Sequence, residues 1–487
     1  MKSLGIGELV CAATLFCAAT ITGSSAQSFT RLTKFDGANG AWPTYGSLIQ
    51  SVDGNFYGTT SFGGNSNRGT IFKITPNGRV TTLYSFCPQT GCADGSVPYG
   101  GLVQTVDGDL YGTTYEGGPL NDGTVFELSP KDGLSTIHTF CSEANCSDGV
   151  LPYAGLVPGI DGDFYGVTSL TSGAKTTYGI VFEIGATGQF TTLYTFCSRS
   201  NCIDGSLAKG VILANSGRLY GTTPDGGADK VGTVFAMTPD GKLTTIHSFN
   251  KSDGEYPNTL IQAADGNLYG TTLYGGANGS GVAFKITPTG QFTLLYSFCS
   301  LANCADGGGV NAPLMQGTDG NFYGTTTFGG TVQINGPFAG YGTVFQITPA
   351  GVLTTLHTFC LQGGDCEDGS YPEAGLTQGT DGNFYGTTYG RPQCPGSCGT
   401  VFRLSMGLGP FVEASPNFAP TGRPVNILGN NLTGTTSVTF NGVPATFKVV
   451  SSTFIKATVP SGATGGTIQV TTPNGTLNSN VAFHVLQ

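Results

Sequence analysis

Carboxylate side chains recur along this sequence in a pattern that could support ligand chemistry. Seven carboxylates on one rim of a protein could bind Ca²⁺ or sugar hydroxyls, since Ca²⁺ takes oxygen ligands. An Asp-Gly pair also forms a side-chain-to-backbone turn, and we favour the turn because an element present in every copy of a repeat usually serves the fold. The Asp-Gly pairs begin at Asp36, Asp94, Asp148, Asp204, Asp253, Asp306 and Asp368.

A second group of acids falls in or beside the same loops but interrupts the repeat pattern. Two carboxylates brought together at such a rim would suit glycoside cleavage. The sequence indicates no catalytic residue and no definite metal ligand. Ca²⁺ at the Asp-Gly positions is the one cofactor that it leaves open. The candidate ligand-binding residues are therefore Asp94, Asp148, Asp204, Asp253, Asp306, Asp368, Glu116, Glu255 and Glu373.

Three of the four histidines share one repeat position with three tyrosines. A position that accepts either side chain is typical of packing on an outer strand rather than of a general base. The sequence also contains no GxSxG, HExxH or P-loop motif. The residues at this position are His138, His247, His357, Tyr84, Tyr194 and Tyr296.

Apart from Cys11 and Cys17, the cysteines occur in close pairs. An even number of cysteines in a secreted chain indicates disulfide bonds. The short loop between Phe249 and Asp253 lacks both cysteines, so the two thiols are lost together. Zinc is a weaker interpretation, because two thiolates without a nearby His fall short of four ligands. The predicted disulfides join Cys87 to Cys92, Cys141 to Cys146, Cys197 to Cys202, Cys299 to Cys304, Cys360 to Cys366 and Cys394 to Cys398.

These residues are carried by one unit that recurs seven times. Its most regular part, DGNFYGTT, aligns at Asp53, Asp107, Asp161, Asn215, Asp265, Asp319 and Asp381. Four consecutive antiparallel strands per unit are what a β-propeller blade requires. The first unit contains four strand-like runs joined by turn signals: Gly46–Gln50, Asn55–Thr60, Gly69–Thr75 and Val80–Phe86.

The two ends of the repeat region are complementary. The last unit, Asp381–Ser405, stops after its third strand, and Ser28–Pro43 resembles the missing fourth strand and its loop. A ring closed by an N-terminal strand removes exposed sheet edges. The sequence therefore predicts an all-β fold: a seven-bladed β-propeller of four-stranded blades, in which Ser28–Phe35 closes the last blade.

One rim of this predicted propeller is more variable than the other. The first-to-second and third-to-fourth turns are short and uniform, whereas the second-to-third loops differ greatly in length, as in Ser61–Gly69, Ser169–Gly179 and Thr327–Gly342. The cysteine loops emerge on the same rim as these variable loops. Since variable loops on a rigid scaffold concentrate binding, we expect a ligand on this rim near the central channel.

The N-terminus and the overall charge bear on localisation and partners. Residues 1–26 combine Lys2, an apolar stretch and small residues before Gln27, which predicts a cleaved signal peptide. We therefore expect a secreted, extracellular or cell-surface protein, with no membrane insertion after cleavage. The net charge is −10 without a Lys/Arg cluster, which disfavours nucleic acid as a partner.

Residues 411–487 differ in character from the repeats, and residues 407–410 are interpreted as a linker. Short alternating strands with Gly/Pro turns predict a small Ig-like β-sandwich. The segments Pro420–Leu432, Val438–Ala445 and Lys456–Gly475 resemble the IPT/TIG family. This resemblance implies a spacer, adhesive or carbohydrate-associated module, and it implies no catalysis.

The repeats in residues 27–406 resemble the GloVer-type tandem-repeat (choice-of-anchor) family of secreted bacterial proteins, through segments such as GLVQTVDGDLYGTT and GTVFELSP. This resemblance implies no established activity. The sequence thus predicts a binding or adhesion module that recognises a glycan or another extracellular partner, such as a surface protein. The alternatives are a polysaccharide hydrolase or lyase on the same scaffold, and a structural spacer.

Overall fold

The computed structural model describes residues 27–43, 45–169, 178–330, 339–361, 365–390 and 398–486. These residues form an all-β protein, whose described helices are three 3₁₀ turns at Ala144–Cys146, Ser200–Cys202 and Ala302–Cys304. Within the described ranges, no helix is long and apolar enough to cross a membrane. The predicted signal peptide at residues 1–26 lies outside the described residues.

Seven antiparallel sheets of one topology follow one another in the described part of the repeat region, and we number them in chain order. Sheets 1 to 3 comprise Ile49–Gln50, Phe56–Thr60, Thr70–Ile74 and Val80–Ser85; Val103–Gln104, Leu110–Thr114, Thr124–Ser129 and Gly133–Thr139; and Val157–Pro158, Phe164–Thr168, Ile180–Ile184 and Phe190–Thr195.

Sheets 4 to 7 continue this pattern. Sheets 4 to 6 comprise Gly210–Leu213, Leu219–Thr223, Thr233–Met237 and Leu243–Ser248; Ile261–Gln262, Leu268–Tyr274, Val282–Ile286 and Phe292–Ser297, with an added strand Glu255–Pro257; and Met315–Gln316, Phe322–Thr326, Thr343–Ile347 and Leu353–Thr358. Sheet 7 comprises Thr377–Gln378, Phe384–Thr388, Thr400–Ser405 and the N-terminal strand Ser28–Lys34.

The second strand of each sheet is almost completely buried, because its side chains pack against neighbouring sheets on both faces. At its centre, the Gly of YGTT lies opposite a Phe of the third strand, as Gly58 lies opposite Phe72. A Cβ at Gly58 would lie 2.9 Å from the Phe72 ring, so the glycine leaves the space that this ring fills. The fourth strand alternates between exposed and partly buried residues, as expected at the outer edge of a sheet.

The N-terminal strand completes sheet 7. Ser28–Lys34 pairs antiparallel with Thr400–Ser405 and so supplies the fourth strand that the last repeat lacks. Its Phe29 ring stacks on His357 of sheet 6, with the ring centroids 3.6 Å apart. The equivalent rings of sheets 2 and 3 make the same contact at 4.2 Å. The N-terminal strand is therefore docked as an internal fourth strand is.

The contacts that join successive sheets recur between sheet 7 and sheet 1. The N–H of Thr318 in sheet 6 donates to the side-chain oxygen of Gln378 in sheet 7 at 3.0 Å. In the same way, the N–H of Thr380 in sheet 7 donates to Gln50 in sheet 1 at 2.8 Å. Sheets 1 and 7 also share one hydrophobic cluster. The first and last sheets are therefore joined by the same kinds of hydrogen bond and apolar contact as sheets that are adjacent in the chain.

Each sheet begins with a residue whose backbone is left-handed, with φ between 54° and 64°. Its N–H donates to a carbonyl in the loop of the preceding sheet: Val97 of sheet 2 donates to Arg68, and Trp42 of sheet 1 donates to Cys398 of sheet 7, both at 2.8 Å. This conformation costs an L-residue about 1–2 kcal/mol, so we attribute its persistence to the inter-sheet hydrogen bond. The seven residues are Trp42, Val97, Leu151, Leu207, Tyr256, Gly309 and Tyr371.

The strand register corrects the sequence alignment in sheet 4. Leu213 pairs with Leu219 there, as Pro158 pairs with Phe164 in sheet 3. The residue that takes the place of the turn Asp is therefore Ser216, and the alignment at Asn215 was wrong by one position. The same assignment follows when GRLYGTT (Gly217–Thr223) is aligned with GNFYGTT (Gly54–Thr60), because the residue before the Gly is then Ser216.

The predicted disulfides are confirmed for the five pairs that the structure describes completely. Each closes a loop between one sheet and the next, with five or six positions separating the two cysteines. The bonds join Cys87 to Cys92, Cys141 to Cys146, Cys197 to Cys202, Cys299 to Cys304, and Cys360 to Cys366.

The first and last of these loops differ in how far they enclose the second cysteine. Cys92 is partly exposed and Cys366 is buried, although both have a backbone φ of 48°. Because Cys92 is bonded to Cys87 and Cys366 to Cys360, neither offers a free thiolate to a metal ion. Both are therefore structural residues of the cysteine loops, as the disulfide interpretation requires.

The sixth predicted pair is described at one end. Cys398 is disulfide-bonded, whereas its predicted partner Cys394 lies outside the described residues. The pairing of Cys394 with Cys398 therefore stays a prediction.

The C-terminal module has two sheets of its own and a separate short strand pair. Alternate residues of its strands form a core that is distinct from the cores of the repeats. The first sheet contains Glu413–Ser415, Pro424–Leu428, Phe454–Thr458 and Phe447–Ser451, the second contains Val443–Pro444, Ser437–Phe440, Ile468–Thr472 and Gly475–Asn478, and the pair is Phe418–Pro420 with His484–Leu486.

The module contacts the turns that join the first and second strands of sheets 7, 1 and 2. Three of its polar side chains bond to equivalent repeat positions, each immediately before the Asp of the turn. The pairs are Thr453 with Val52 at 2.8 Å, Asn426 with Val106 at 3.0 Å, and Asn430 with Thr380 at 2.8 Å. The module therefore lies at the end of these sheets that carries the short, uniform turns, opposite the end with the variable loops.

Candidate functional site

The Asp side chains of the predicted ring are hydrogen-bond acceptors inside their own loops. Asp306 is fully buried and accepts from the N–H and hydroxyl of Ser300 at 2.8 and 2.9 Å and from the N–H of Leu301 at 3.1 Å. Such bonds satisfy the carboxylate within the turn that it closes, as the structural interpretation requires. Ligand binding stays a prediction for Asp94, Asp148, Asp204, Asp253, Asp306 and Asp368.

The structure removes Asp36 from this ring. Gly40, and not Gly37, packs against the buried Thr60, where a Cβ would meet the side chain at 2.8 Å. The equivalent glycines of the other sheets make this same close approach. Asn39 therefore occupies the place that Asp has in the other copies, and Asp36 accepts from the Asn39 N–H at 2.9 Å.

The His/Tyr position supplies a partner to the turn Asp. Nε2 of His357 lies 2.9 Å from Oδ2 of Asp368, and the Tyr296 hydroxyl donates to Asp306 at 2.8 Å. An imidazole and a phenol reach the carboxylate from the same strand position. The position thus ties the fourth strand to the loop that follows it.

The choice between His and Tyr follows the residue that faces it from the next sheet. Each His stacks on a Phe that begins the fourth strand of the next sheet, whereas each Tyr shares a hydrophobic cluster with a Leu at that place. The stacked pairs are His138/Phe190, His247/Phe292 and His357/Phe29. The clustered pairs are Tyr84/Leu134, Tyr194/Leu243 and Tyr296/Leu353.

Two of the candidate glutamates form ion pairs. Glu116 lies 3.5 Å from Arg68, and Glu255 lies 3.8 Å from Lys251. The charge of Glu116 also contributes to raising the pKa of Tyr99. Glu116 is therefore close to a tyrosine cluster that the sequence did not indicate.

Three tyrosines from sheets 1, 2 and 3 converge at the points where their first strands begin. Ring centroids are 5.3 Å apart for Tyr45 and Tyr99, 4.8 Å for Tyr45 and Tyr153, and 5.5 Å for Tyr99 and Tyr153. They line a cavity of about 300 Å³ between the first strands. Because each follows the loop that leads into its sheet, they lie at the end of this space that faces the variable loops.

The first strands approach one another closely beside this cavity. A Cβ at Gly100 in sheet 2 would lie 2.6 Å from the backbone nitrogen of Gly155 in sheet 3. A larger residue at Gly100 would push these strands apart, which explains the glycine. The cavity is therefore narrow and its walls are backbone as well as side chain.

A lysine from sheet 4 extends into the tyrosine cluster. Nζ of Lys209 lies 4.5 Å from the ring centroid of Tyr153 and 5.4 Å from that of Tyr45, which are cation–π distances. It also donates to Oδ1 of Asn311 at 3.4 Å. Burial lowers the pKa of Lys209 to about 8, against the opposing charge of Glu373.

Glu373 of sheet 7 is the predicted candidate that belongs to this cluster. Burial raises its pKa to about 7, and the Lys209 charge opposes the shift. Burial also raises the pKa of Tyr99 to about 12. An acid and a base that titrate near neutral pH thus lie among phenols. We call Tyr45, Tyr99, Tyr153, Lys209, Asn311 and Glu373 the channel cluster.

Sequence reasoning found one member of the channel cluster and missed the rest. By strand register, Tyr45, Tyr99, Tyr153, Asn311 and Glu373 share one repeat position, and Lys209 lies one residue beyond it. One signal in the sequence could have identified the cluster. The side chain at this position differs between copies (Tyr, Asn or Glu), whereas the strand that follows is nearly constant. Aromatic residues are frequent throughout this chain, so three tyrosines did not stand out.

Calcium binding stays a prediction for the Asp ring. Among the described residues, carboxylate oxygens come within 4.8 Å of one another at Asp161, Asp163 and Glu183. This group lies at the short turns of sheet 3, away from the cysteine loops. Asp161 is exposed, and Asp163 and Glu183 are partly buried. Acidic groups of this kind are common without an ion, and we assign none to them.

The chain is similar in fold to several solved structures at low identity. A fungal alcohol oxidase of the AA5 family, in complex with copper, is 14% identical with a TM-score of 0.49, over 94% of this chain and 99% of that one. The extracellular domain of a proposed one-component system from B. thetaiotaomicron is 12% identical with a TM-score of 0.49, over 92% of this chain and 47% of that one. Puromycin hydrolase is 13% identical with a TM-score of 0.45, over 90% and 58%.

Likenesses at this level transfer no activity to this chain. No curated protein sequence matches it. Two family profiles do match. The profile of the Gloeobacter/Verrucomicrobia repeat covers residues 14–171 and 142–333, and that of the IPT/TIG domain covers residues 411–485. The chain therefore belongs to the Gloeobacter/Verrucomicrobia repeat family and carries a C-terminal IPT/TIG domain.

Proposed function

We propose that this chain is an extracellular binding module that recognises a glycan at the channel cluster. The observation that carries the proposal is the convergence of Tyr45, Tyr99 and Tyr153 with Lys209 and Glu373. Phenols offer flat apolar faces and hydroxyl donors, and the Lys, Asn and Glu side chains offer further hydrogen bonds. A concave site of this mixed composition suits a small polar ligand such as a sugar.

The proposed scaffold is a closed seven-bladed β-propeller in which each of sheets 1 to 7 is one blade. The docked N-terminal strand supports closure. So do the bonds between sheets 7 and 1, which repeat those between other sheets. A closed ring would bring the first strands of all blades around one channel, and residues from distant repeats would then meet at its mouth.

The extracellular setting of the proposal rests on the disulfides and the domain composition. Disulfide bonds persist in oxidising compartments, and this chain has them between most of its sheets. An IPT/TIG domain next to a repeat region is typical of a surface module. We expect the sugar to come from a polymer outside the cell.

A glycan array followed by calorimetry on the best hit tests the proposal. We expect Tyr99→Ala to weaken binding at least about tenfold, as loss of an aromatic anchor does. The matched control is Tyr57→Phe, because Tyr57 lies on the opposite rim and donates to Asp53 at 2.9 Å. Equal losses in both variants would contradict the site, and a chain that binds no glycan would favour the structural spacer.

A polysaccharide hydrolase or lyase is the second candidate function. The specific observation in its favour is that Glu373 and Lys209 interact through their charges beside the same tyrosines, with pKa values of about 7 and about 8. Groups that titrate near the working pH are effective in general acid–base catalysis, and such shifts are frequent at active sites.

Release of reducing ends, with absorbance for unsaturated products, distinguishes this candidate from pure binding. If the chain is an enzyme, Glu373→Gln should abolish turnover while calorimetry still detects the glycan. Glu255→Gln is the control, since Glu255 pairs with Lys251 and not with the channel cluster. Binding without turnover by the unaltered chain would reject the enzyme.

A further inference from the structure

A cavity lies between the IPT/TIG module and the repeats. In the strand Glu413–Ser415, the Ala414 side chain points into the core of the module. Because side chains alternate along a strand, Glu413 and Ser415 point away from that core and towards the repeats. The cavity that they face has a volume of about 400 Å³, which is within the range of small-ligand sites.

The walls of this cavity are mainly apolar. Their nearby amides are engaged elsewhere: Gln50 accepts from Thr380 at 2.8 Å and donates to Gly54 at 3.3 Å, and Gln104 donates to Gly108 at 3.0 Å. One further carboxylate, Asp163 of sheet 3, also lies in the wall. The apolar wall residues include Leu48, Leu102, Val103, Pro158, Pro416 and Leu428.

The Glu413 carboxylate is the chemically unusual group in this cavity. It makes no hydrogen bond or ion pair with any residue that the structure describes. Burial is the sole cause that raises its pKa to about 7. An ionised carboxylate among apolar walls is costly unless a cation pairs with it. The cavity therefore presents an acid whose partner the chain does not supply.

The chemistry of the cavity restricts what could pair with Glu413. A divalent cation needs several oxygen ligands held close together. Among the described residues Glu413 belongs to no such group, and Asp163, the other carboxylate in the wall, is grouped with Asp161 and Glu183 instead. A neutral hydrocarbon would leave the acid unpaired. A primary ammonium compound with a short aliphatic body meets both requirements. Its charge pairs with the Glu413 carboxylate, and its aliphatic part contacts the apolar wall residues.

We propose that this cavity binds a small primary ammonium compound with an aliphatic body, its nitrogen paired with the Glu413 carboxylate. The site is separate from the channel cluster. It involves the turns of sheets 1, 2, 3 and 7 and the face of the module that covers them. Its failure would leave the glycan proposal untouched, and the converse also holds.

Calorimetry on the full chain at pH 8 tests the proposal with n-butylammonium and cyclohexylammonium chloride against n-butanol and cyclohexanol. We expect the ammonium compounds to bind with a Kd of roughly 10 μM to 1 mM, a range set by their few heavy atoms. They should also raise Tm. The alcohols should bind at least about tenfold more weakly, because they carry no charge to pair with the acid.

Two variants and one control test the location of the site. Glu413→Gln should reduce ammonium binding at least about tenfold, because it removes the charge and keeps the shape. Val103→Phe should block binding by filling the cavity, and a thermal melt reports whether each variant is folded. Glu143→Gln, an exposed acid on a cysteine loop that accepts from Ser147, should bind as the unaltered chain does.

The source of the ammonium group is tested with Nα-acetyl-lysine methylamide, whose peptide groups the cavity should exclude. Tighter binding of this compound than of n-butylammonium would overturn the small-molecule assignment. Equal binding by Glu413→Gln, equal binding of the alcohols, or no heat with either ammonium compound would overturn the site itself.

Discussion

Asp306, which is fully buried, and Glu413, which is partly buried, are two carboxylates to which the same chain gives opposite environments. Asp306 is fully buried but receives bonds from two N–H groups and two hydroxyls. Glu413 receives none from the described residues, and burial raises its pKa to about 7. Donors directed at a carboxylate stabilise its charged form, and burial without donors destabilises it. The number of donors, and not burial alone, decides which acid serves the fold and which is available to a ligand.

At the residue scale we predict that Asp306→Asn destabilises the protein by about 2–3 kcal/mol, because the buried donors lose a charged acceptor. Urea denaturation with the unaltered chain as reference measures this change. Asp132→Asn is the control, since Asp132 is exposed on the opposite rim. A loss as small as that of the control would mean that the carboxylate does not hold the turn.

The cysteine loops share one strained backbone conformation at both of their cysteines. Cys299 and Cys304, which are bonded to each other, both have a left-handed backbone, with φ of 59° and 49°, which L-residues seldom adopt. The loop after sheet 4 connects Phe249 to Asp253 without cysteines, so a disulfide is not required for the turn. The bond therefore stabilises a turn that the fold can also make in another way.

At the element scale we predict that replacing Cys299 and Cys304 together by Ser costs about 2 kcal/mol, the loop-closure entropy of so short a ring. The fold should persist, because the cysteine-free loop after sheet 4 is built on the same scaffold. Far-UV circular dichroism checks the fold and urea denaturation measures the loss. Failure of this double variant to fold would show that the bond organises the sheet junction.

The His/Phe and Tyr/Leu pairs also act at this scale, because the two residues of each pair come from neighbouring sheets and so join them. We predict that His357→Tyr and Phe29→Leu each cost about 1 kcal/mol and that the double variant regains at least half of the sum, since coupled residues are not additive. Thermal denaturation of the four proteins measures this coupling energy. Strict additivity would contradict docking of the N-terminal strand against sheet 6.

At the scale of the whole molecule, the module is linked to the repeats by hydrogen bonds to equivalent positions in successive sheets. The module bonds to the same turn position in three sheets, and sheets 7 and 1 meet as other neighbours do. The module covers the end of the sheets with the short turns, and the channel cluster lies towards the opposite end. This arrangement separates the proposed glycan site from the cavity at Glu413.

At this scale we predict that the module is held more weakly at alkaline pH. The pKa of Glu413 is raised in the folded protein to about 7 from 4.5, so the folded state binds the proton more tightly. The stabilisation is complete below pH 4.5 and is lost as pH rises through about 7. Glu413→Gln should therefore gain on the order of 2 kcal/mol over the unaltered chain at pH 8 and nearly nothing at pH 4.

Urea denaturation at these two pH values measures the difference. Glu143→Gln is the control, because its exposed side chain should give no pH-dependent gain. A gain that is equal at both pH values would mean that packing, and not the charge of Glu413, limits the contact.

The sequence by itself determined the repeats, the strands of each sheet, the paired cysteines and the IPT/TIG domain. These depend on local patterns that recur in each copy: the alternation of apolar and polar residues, the turn residues and their spacing. It also indicated that Ser28–Phe35 belongs to the last unit, because the two ends complement each other. Its alignment was misplaced by one residue in sheet 4, although the stretch GRLYGTT itself places Ser216 at the turn, in agreement with the strand register.

Only the tertiary structure decided which side chains meet. Lys209 and Glu373 are far apart in the chain, yet both approach Tyr45 and Tyr153, because packing brings their sheets together at these tyrosines. Glu413 became unusual only when the module was placed on the repeats. Contacts of this kind depend on how sheets pack, and no local pattern encodes them. The sequence alone therefore predicts the turn and strand formed by DGNFYGTT, whereas the candidate sites can be identified only from the tertiary structure.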